Sequence, residues 1–298
     1  MAQKETVTPE VVRLLWVSFA ISIGVFLFTY LFFVSSGIGQ TFDAEAYLGH
    51  ENVDRRVLSI DRHLLSLVSL TTMIVIALLI LGLSILRRRI EVGFVCVGGF
   101  AVAVIGAELL KRYLPWEQLS SLDDGLPTNL AFDTYPSGHT TIATTACLMV
   151  VVLAAPKIRP WLGVILGAVS TTYATAVVIA GWHRPSDALG GIAWSGAITF
   201  LTILVAIRVS NASNIDQHSI SLKDRIWNSS TPGAIVVALV ILATISVAAY
   251  VTPAELADFD GEFVTMMALI IFGGIALSVW TGQLMRQVHW SRRDQQLD

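Results

Sequence analysis

The stretch Tyr135-Pro136-Ser137-Gly138-His139-Thr140-Thr141-Ile142-Ala143 marks the sharpest boundary in the chain. Before it lies a loop rich in turn formers, Ser120 to Tyr135, and after it the chain turns apolar and runs on to Leu153. Pro136 disfavours helix at Tyr135. Ser137 is a good N-cap, with Gly138 and His139 in the first turn. The boundary therefore predicts a helix start whose free backbone N–H groups face the loop. Unpaired N–H groups and the positive end of the helix dipole coincide there, which favours an anion. His139 puts a protonatable group beside that seat.

Composition sets the surroundings. Of the 298 residues, 54% are hydrophobic and only 14% are charged, with a mean hydropathy of +0.70. Soluble domains carry about 25% charged residues. The chain therefore reads as an all-α polytopic membrane protein with the bilayer as its main partner. The net charge of −3 argues against a nucleic-acid partner. Cys96 and Cys147 both lie in apolar runs and read as packing residues. The first apolar run is too long for a cleavable signal, and no small-residue cleavage site ends it.

A bilayer span needs about 20 mostly apolar residues, and eight segments qualify: Leu14–Val34, Leu64–Leu86, Val92–Leu110, Ser137 to before Pro156, Trp161–Gly181, Asp187–Ile207, Ala234–Tyr250 and Phe263–Met285. A polar stretch, Gly37 to Arg62, separates the first two. The third span contains Gly93, Gly98, Gly99 and Gly106, which suits close helix packing. The first six spans form a core over residues 1–208. A loop over 209–231 precedes two further helices and a basic tail, 232–298. On alternate sides of the membrane, thirteen of the nineteen Lys and Arg residues fall on the side of the termini. The positive-inside rule then places both termini in the cytoplasm of a cell-membrane protein.

On the opposite, outward face three helix ends meet. The third span delivers Lys111 and Arg112, the fourth begins at Ser137, and the junction of the fifth and sixth supplies Gly181-Trp182-His183-Arg184-Pro185-Ser186-Asp187. Ser186 or Asp187 can cap the sixth helix. His183 stands four residues before Asp187, whose carboxylate can fix the ring's tautomer and favour its cation. His139 has no acid nearby in sequence. That asymmetry suits two jobs, nucleophile and general acid. Glu108 sits one turn inside the membrane boundary, where an acid is either functional or paired with Lys111 or Arg112. His50, His63, His218 and His289 read as interfacial polar residues, and Asp123 and Asp124 as a solvated turn. Lys157 and Arg159 read as a short basic turn.

These residues resemble the type 2 phosphatidic acid phosphatase (PAP2) superfamily. Its motifs are a Lys followed later by Arg-Pro, then Pro-Ser-Gly-His, then Ser-Arg, a gap, His, three residues and Asp. The second motif is complete at Pro136–His139, and the third matches at His183 and Asp187. Ala176 and Val177 stand where Ser-Arg is expected, and Trp116-Glu117 where Arg-Pro is expected. The resemblance implies metal-free, cofactor-free hydrolysis of a phosphoester. In it His183 attacks phosphorus, Asp187 holds the imidazole, and His139 protonates the leaving oxygen. Ser137, Gly138 and Lys111 would hold phosphate oxygens, with Arg112 and Arg184 as candidates to replace the missing arginines. A two-histidine set at a membrane face, where a lipid headgroup presents itself, points to a lipid phosphate or diphosphate, of phosphatidate or polyprenyl type, as substrate at the outer leaflet. Two alternatives stay open: an inactive descendant that binds or moves a lipid phosphate, and a transporter or channel unrelated to phosphate. Paired histidines predict a bell-shaped pH–rate profile near neutrality.

Overall fold

Inside a bilayer the backbone has no water to bond, so each apolar run closes on itself as a helix. The computed structural model describes residues 7–53, 63, 65–119, 134–210, 212–214 and 261–290. Among these, α1 runs Pro9–Thr29 and continues through a π turn, Tyr30–Val34. Then follow α2 (Gly37–Leu48), α3 (Leu70–Leu86), α4 (Ile90–Tyr113), α5 (Gly138–Leu153), α6 (Arg159–Ile179), α7 (Pro185–Val209) and α8 (Gly261–Met285). The chain is an all-α polytopic bundle. Helices α1, α4, α6, α7 and α8 are long and apolar enough to cross a membrane, and α3 and α5 are shorter apolar helices of 17 and 16 residues. The expected seventh span, Ala234–Tyr250, most of the loop before it, and Asp123, Asp124 and His218 lie outside the described residues.

Three details differ from the sequence reading. The stretch after the first span is no plain polar linker: Ser36 caps it by accepting from the Gly39 N–H at 3.1 Å, and it folds as α2. The second span is shortened at its start, where Ser69 caps α3 by accepting from the Thr72 N–H at 3.2 Å. A small antiparallel ribbon, β1 (Ala212–Asn214) with β2 (Val288–Trp290), joins the chain beyond α7 to the chain beyond α8.

The central helix is α7, which packs on α1, α4, α5 and α8. Its interior residues include Ser195, Ala197, Thr199, Phe200 and Ile203, all buried. Large apolar side chains such as Ile21, Phe28, Leu79, Phe94 and Phe272 instead point outward, as a lipid-facing surface requires. Small residues let the helices approach closely. A Cβ on Gly99 would lie 2.1 Å from Thr202 of α7, and one on Gly106 2.6 Å from Trp194. Nothing lies within 4 Å of a Cβ on Gly98, so that glycine has no packing role among the described residues. Antiparallel α6 and α8 meet through Gly163, Gly167, Gly274 and Gly282, each against the facing helix.

Gly190 shows the tightest of these fits near the α5 start. A Cβ there would stand 2.3 Å from the Tyr135 ring. The ring cannot yield readily, because its hydroxyl donates to the Phe26 carbonyl at 2.7 Å and lies 2.6 Å from Thr29 Oγ1. Gly190→Ala is expected to destabilise the fold by about 1–3 kcal/mol, read as a lower thermal midpoint in detergent.

Candidate active site

Three chain segments build one end of the bundle. The first is the α5 start. Ser137 caps the helix as expected, its Oγ accepting from the Thr140 N–H at 3.4 Å. Its own N–H donates to the Asp187 carbonyl at 2.9 Å, which pins the loop to α7. Among the described residues, none accepts from the N–H of Gly138 or His139. This helix end is open to an anion.

The second is the end of α4. Lys111 Nζ donates to Glu108 Oε1 at 2.7 Å, settling that acid's partner as Lys111. A Cβ on Gly138 would lie 2.7 Å from Glu108 Oε1 and 3.0 Å from Lys111 Nζ. The Glu108–Lys111 ion pair thus rests against the helix start, with the carboxylate oxygen the nearer of the two. Arg112, on another face of the same turn, is exposed and is absent from the cleft wall described below.

The third is the turn from α6 to α7. Gly181 takes φ +70°, the left-handed conformation that glycine adopts freely after a helix. The N–H groups of Trp182 and His183 then donate to the Val177 carbonyl at 3.0 and 3.2 Å. Helix α7 begins at Pro185 rather than Asp187, with Arg184 as its N-cap. Proline suits the first position because its missing N–H would have no partner there. Asp187 does its capping from inside the helix: Oδ2 accepts from the Arg184 N–H at 3.1 Å and meets His183 Nδ1 at 3.1 Å. Ala176 and Val177 are buried apolar residues, so no arginine enters from α6.

The turn brings His183 beside His139, with ring centroids 6.5 Å apart, and Trp182 lies edge-on to His139 at 5.4 Å. The two rings are thus close neighbours in an edge-on arrangement. Alongside lies a small cleft of about 20 Å³, whose wall includes Lys111, Arg184, Asp187, Tyr135 and Asp43. The imidazoles stand next to this cleft rather than on its wall. Of the candidates read from sequence, His139, His183, Asp187, Lys111, Ser137, Gly138 and Arg184 gather here.

Sequence reasoning missed α2. Tyr47 Oη donates to the Gly181 carbonyl at 3.0 Å, and the Asp43 carboxylate accepts from the Ser186 N–H at 3.0 Å and from its Oγ at 2.6 Å. His50, which reads as an interfacial polar residue, packs on this turn: a Cβ on Gly181 would lie 2.8 Å from its Nε2. The spacing of Asp43 and Tyr47, four apart on a helix face, was the one available signal.

Burial pushes the Asp43 carboxyl up to about 7, and Asp187 adds to this while the Ser186 hydroxyl and Arg184 oppose it. A carboxyl raised on folding gives stability that is full below 3.8 and is lost as pH rises through about 7. The thermal midpoint of the wild type is therefore expected to fall between about pH 5 and about pH 8. Asp43→Asn should fall less over that range.

The multi-pass helical bundle thus carries two histidines, an orienting carboxylate and cations at one end. Residues 109–210 match the family model of the PAP2 superfamily. That segment, about a third of the chain, runs from the Lys111 end of α4 to the end of α7, and over it the chain is similar to the PAP2 superfamily. No curated protein and no solved structure matches the chain.

Proposed function

We propose that the chain is a metal-independent phosphatase that hydrolyses a lipid phosphate or diphosphate at the outer leaflet through a phosphohistidine. The observation that carries this reading is the 6.5 Å pairing of His139 with an Asp187-held His183. With Nδ1 occupied by Asp187, His183 presents Nε2 to phosphorus. The N–P bond forms as the P–O bond to the alcohol breaks, and His139 gives its proton to the departing oxygen. Water, relieved of a proton by His139, then attacks phosphorus and releases inorganic phosphate from His183. The α5 start and Lys111 neutralise the phosphate oxygens. Arg184, buried at 5% exposure on the cleft wall, supplies the guanidinium. The exposed position of Arg112 favours Arg184 over it.

Phosphoryl transfer depends mostly on positioning and charge neutralisation, which is what these groups offer. The outward direction rests on the Lys and Arg count, and a lipid substrate on the site's place at one end of a bilayer-spanning bundle. The match of residues 109–210 to the model of a superfamily that generally comprises phosphatases supports the same reading. The same reading divides the chain into a six-helix core over residues 1–208, a cytoplasmic loop over 209–231 and two added helices with a basic tail over 232–298.

The test is vanadate, which takes the trigonal bipyramidal shape of the transferring phosphoryl group. Purified protein in chelator is expected to release phosphate from phosphatidate or a polyprenyl diphosphate, and micromolar vanadate to block it competitively. Protein that neither releases phosphate nor binds vanadate would leave the inactive lipid-phosphate binder as the better account.

A further inference from the structure

The two helix N-termini at this site are treated differently. At α5 the first N–H groups are open. At α7 they are closed by carboxylates: Pro185 has no N–H, the Ser186 N–H goes to Asp43, and the Arg184 N–H goes to Asp187. Asp43 also takes the Ser186 hydroxyl, so both of its oxygens are engaged with one residue. It is 143 residues away from that residue in sequence and has no exposed surface.

One turn further along the same face of α2, Tyr47 holds the Gly181 carbonyl at 3.0 Å. Helix α2 therefore grips the α6–α7 turn on both sides of His183 and Arg184. It is itself fixed, since Gln40 Nε2 donates to the carbonyls of Val34 and Glu117, each at 2.7 Å, and its Oε1 accepts from the Leu119 N–H at 2.7 Å. A buried carboxylate is costly to keep in place. An ordinary N-cap from a local serine or asparagine would satisfy the Ser186 N–H without one. The carboxyl stands near Arg184 and Asp187 instead, where the directions of those two side chains matter most.

We propose that Asp43 is a positioning residue: through Ser186 it fixes the first turn of α7, and so aims His183 and Arg184 at the phosphate. The inference rests on the phosphatase reading. It gives α2, outside the recognised motifs, a role in the reaction without contact with phosphorus. Misplacing a reacting group by about 1 Å costs on the order of a hundredfold in rate. Asp43→Ala, which removes both acceptors, should lose about that factor in kcat with KM little changed. Formate, which fits the space of the lost carboxylate, should restore at least part of it. Asp43→Asn keeps a carbonyl acceptor for the Ser186 N–H and should stay within about tenfold of wild type.

The experiment measures kcat and KM for phosphate release by wild type, Asp43→Ala and Asp43→Asn, with and without formate. Hydrogen exchange over residues 184–190 is followed in parallel. Loss of kcat in Asp43→Ala, recovered by formate together with exchange protection, supports the proposal. If Asp43→Ala unfolds, Asp43→Asn and the Ser186→Ala variant carry the test, with a kcat loss in Ser186→Ala expected. Lowered thermal midpoints with kcat per folded molecule unchanged make Asp43 a structural cap alone and overturn it. A wild-type protein that releases no phosphate sinks the phosphatase reading first, an outcome distinct from an active wild type matched by its Asp43 variants.

Discussion

Replacing His183 by alanine is expected to lower phosphate release by about four orders of magnitude, because no covalent intermediate can then form. Asp187 would keep its bond from the Arg184 N–H, so α7 should still start at Pro185 and the protein should still fold. His139→Ala is expected to behave differently. A general acid contributes about 10²–10⁴-fold when the departing oxygen needs a proton. An alkyl phosphate, such as a lipid phosphate, has a basic leaving oxygen and should suffer the full loss. An aryl phosphate with an acidic phenol leaves unaided, so bond cleavage should be nearly as fast in His139→Ala as in wild type. Steady-state release and single-turnover cleavage of the two substrates separate these cases. Equal activity of His183→Ala and wild type would remove the nucleophile from the scheme. An equal loss on both substrates in His139→Ala would remove the acid.

The second large effect is expected at the opposite end of the bundle. Arg159 reads from sequence as part of a short basic turn on the side of the termini. In the structure its side chain is fully buried. Its guanidinium donates to the carbonyls of Met285, Val288 (2.6 Å) and Val152 (2.9 Å). The need for a donor at Val152 is local. Its helical partner would be the N–H four residues on, and that residue is Pro156, which has none. Trp290 Nε1 adds a second donor to the same carbonyl at 3.1 Å. Arg159 also puts positive charge among the last carbonyls of α5 and α8, where helix dipoles favour it.

Arg159→Met would orphan two or three buried carbonyls, at about 1–3 kcal/mol each. Arg159→Met is therefore expected to destabilise the protein by about 3–5 kcal/mol. Arg159→Lys should recover little of this, because a single ammonium cannot fork between acceptors. Thermal unfolding in detergent reads the effect. A midpoint within about 2 °C of wild type would show that the carbonyls find other donors.

The two cases mark what could be read along the chain and what could not. The Ser137 cap, the start of α5 and the apolar runs were legible because each depends on neighbours within four or five residues. A capping hydroxyl, a proline and a bilayer-length apolar run act locally. The His183–Asp187 contact was legible for the same reason, being one helical turn in reach. The precise start of α7 was less so, since both Pro185 and Asp187 are good first-turn residues and only the backbone bonds choose between them.

The amino-acid sequence by itself determined a membrane bundle with a helix start at Ser137 and a histidine–carboxylate pair, because short-range hydrogen bonding and hydrophobic run length set those features. Tertiary structure alone decided that His139 faces His183, that Arg184 rather than Arg112 lines the cleft, that Asp43 closes α7, and that Arg159 is buried. Each of these joins polar groups from distant segments. A lone acid or arginine in a polar stretch looks the same whether it will be solvated or enclosed, and packing of the helices determines which.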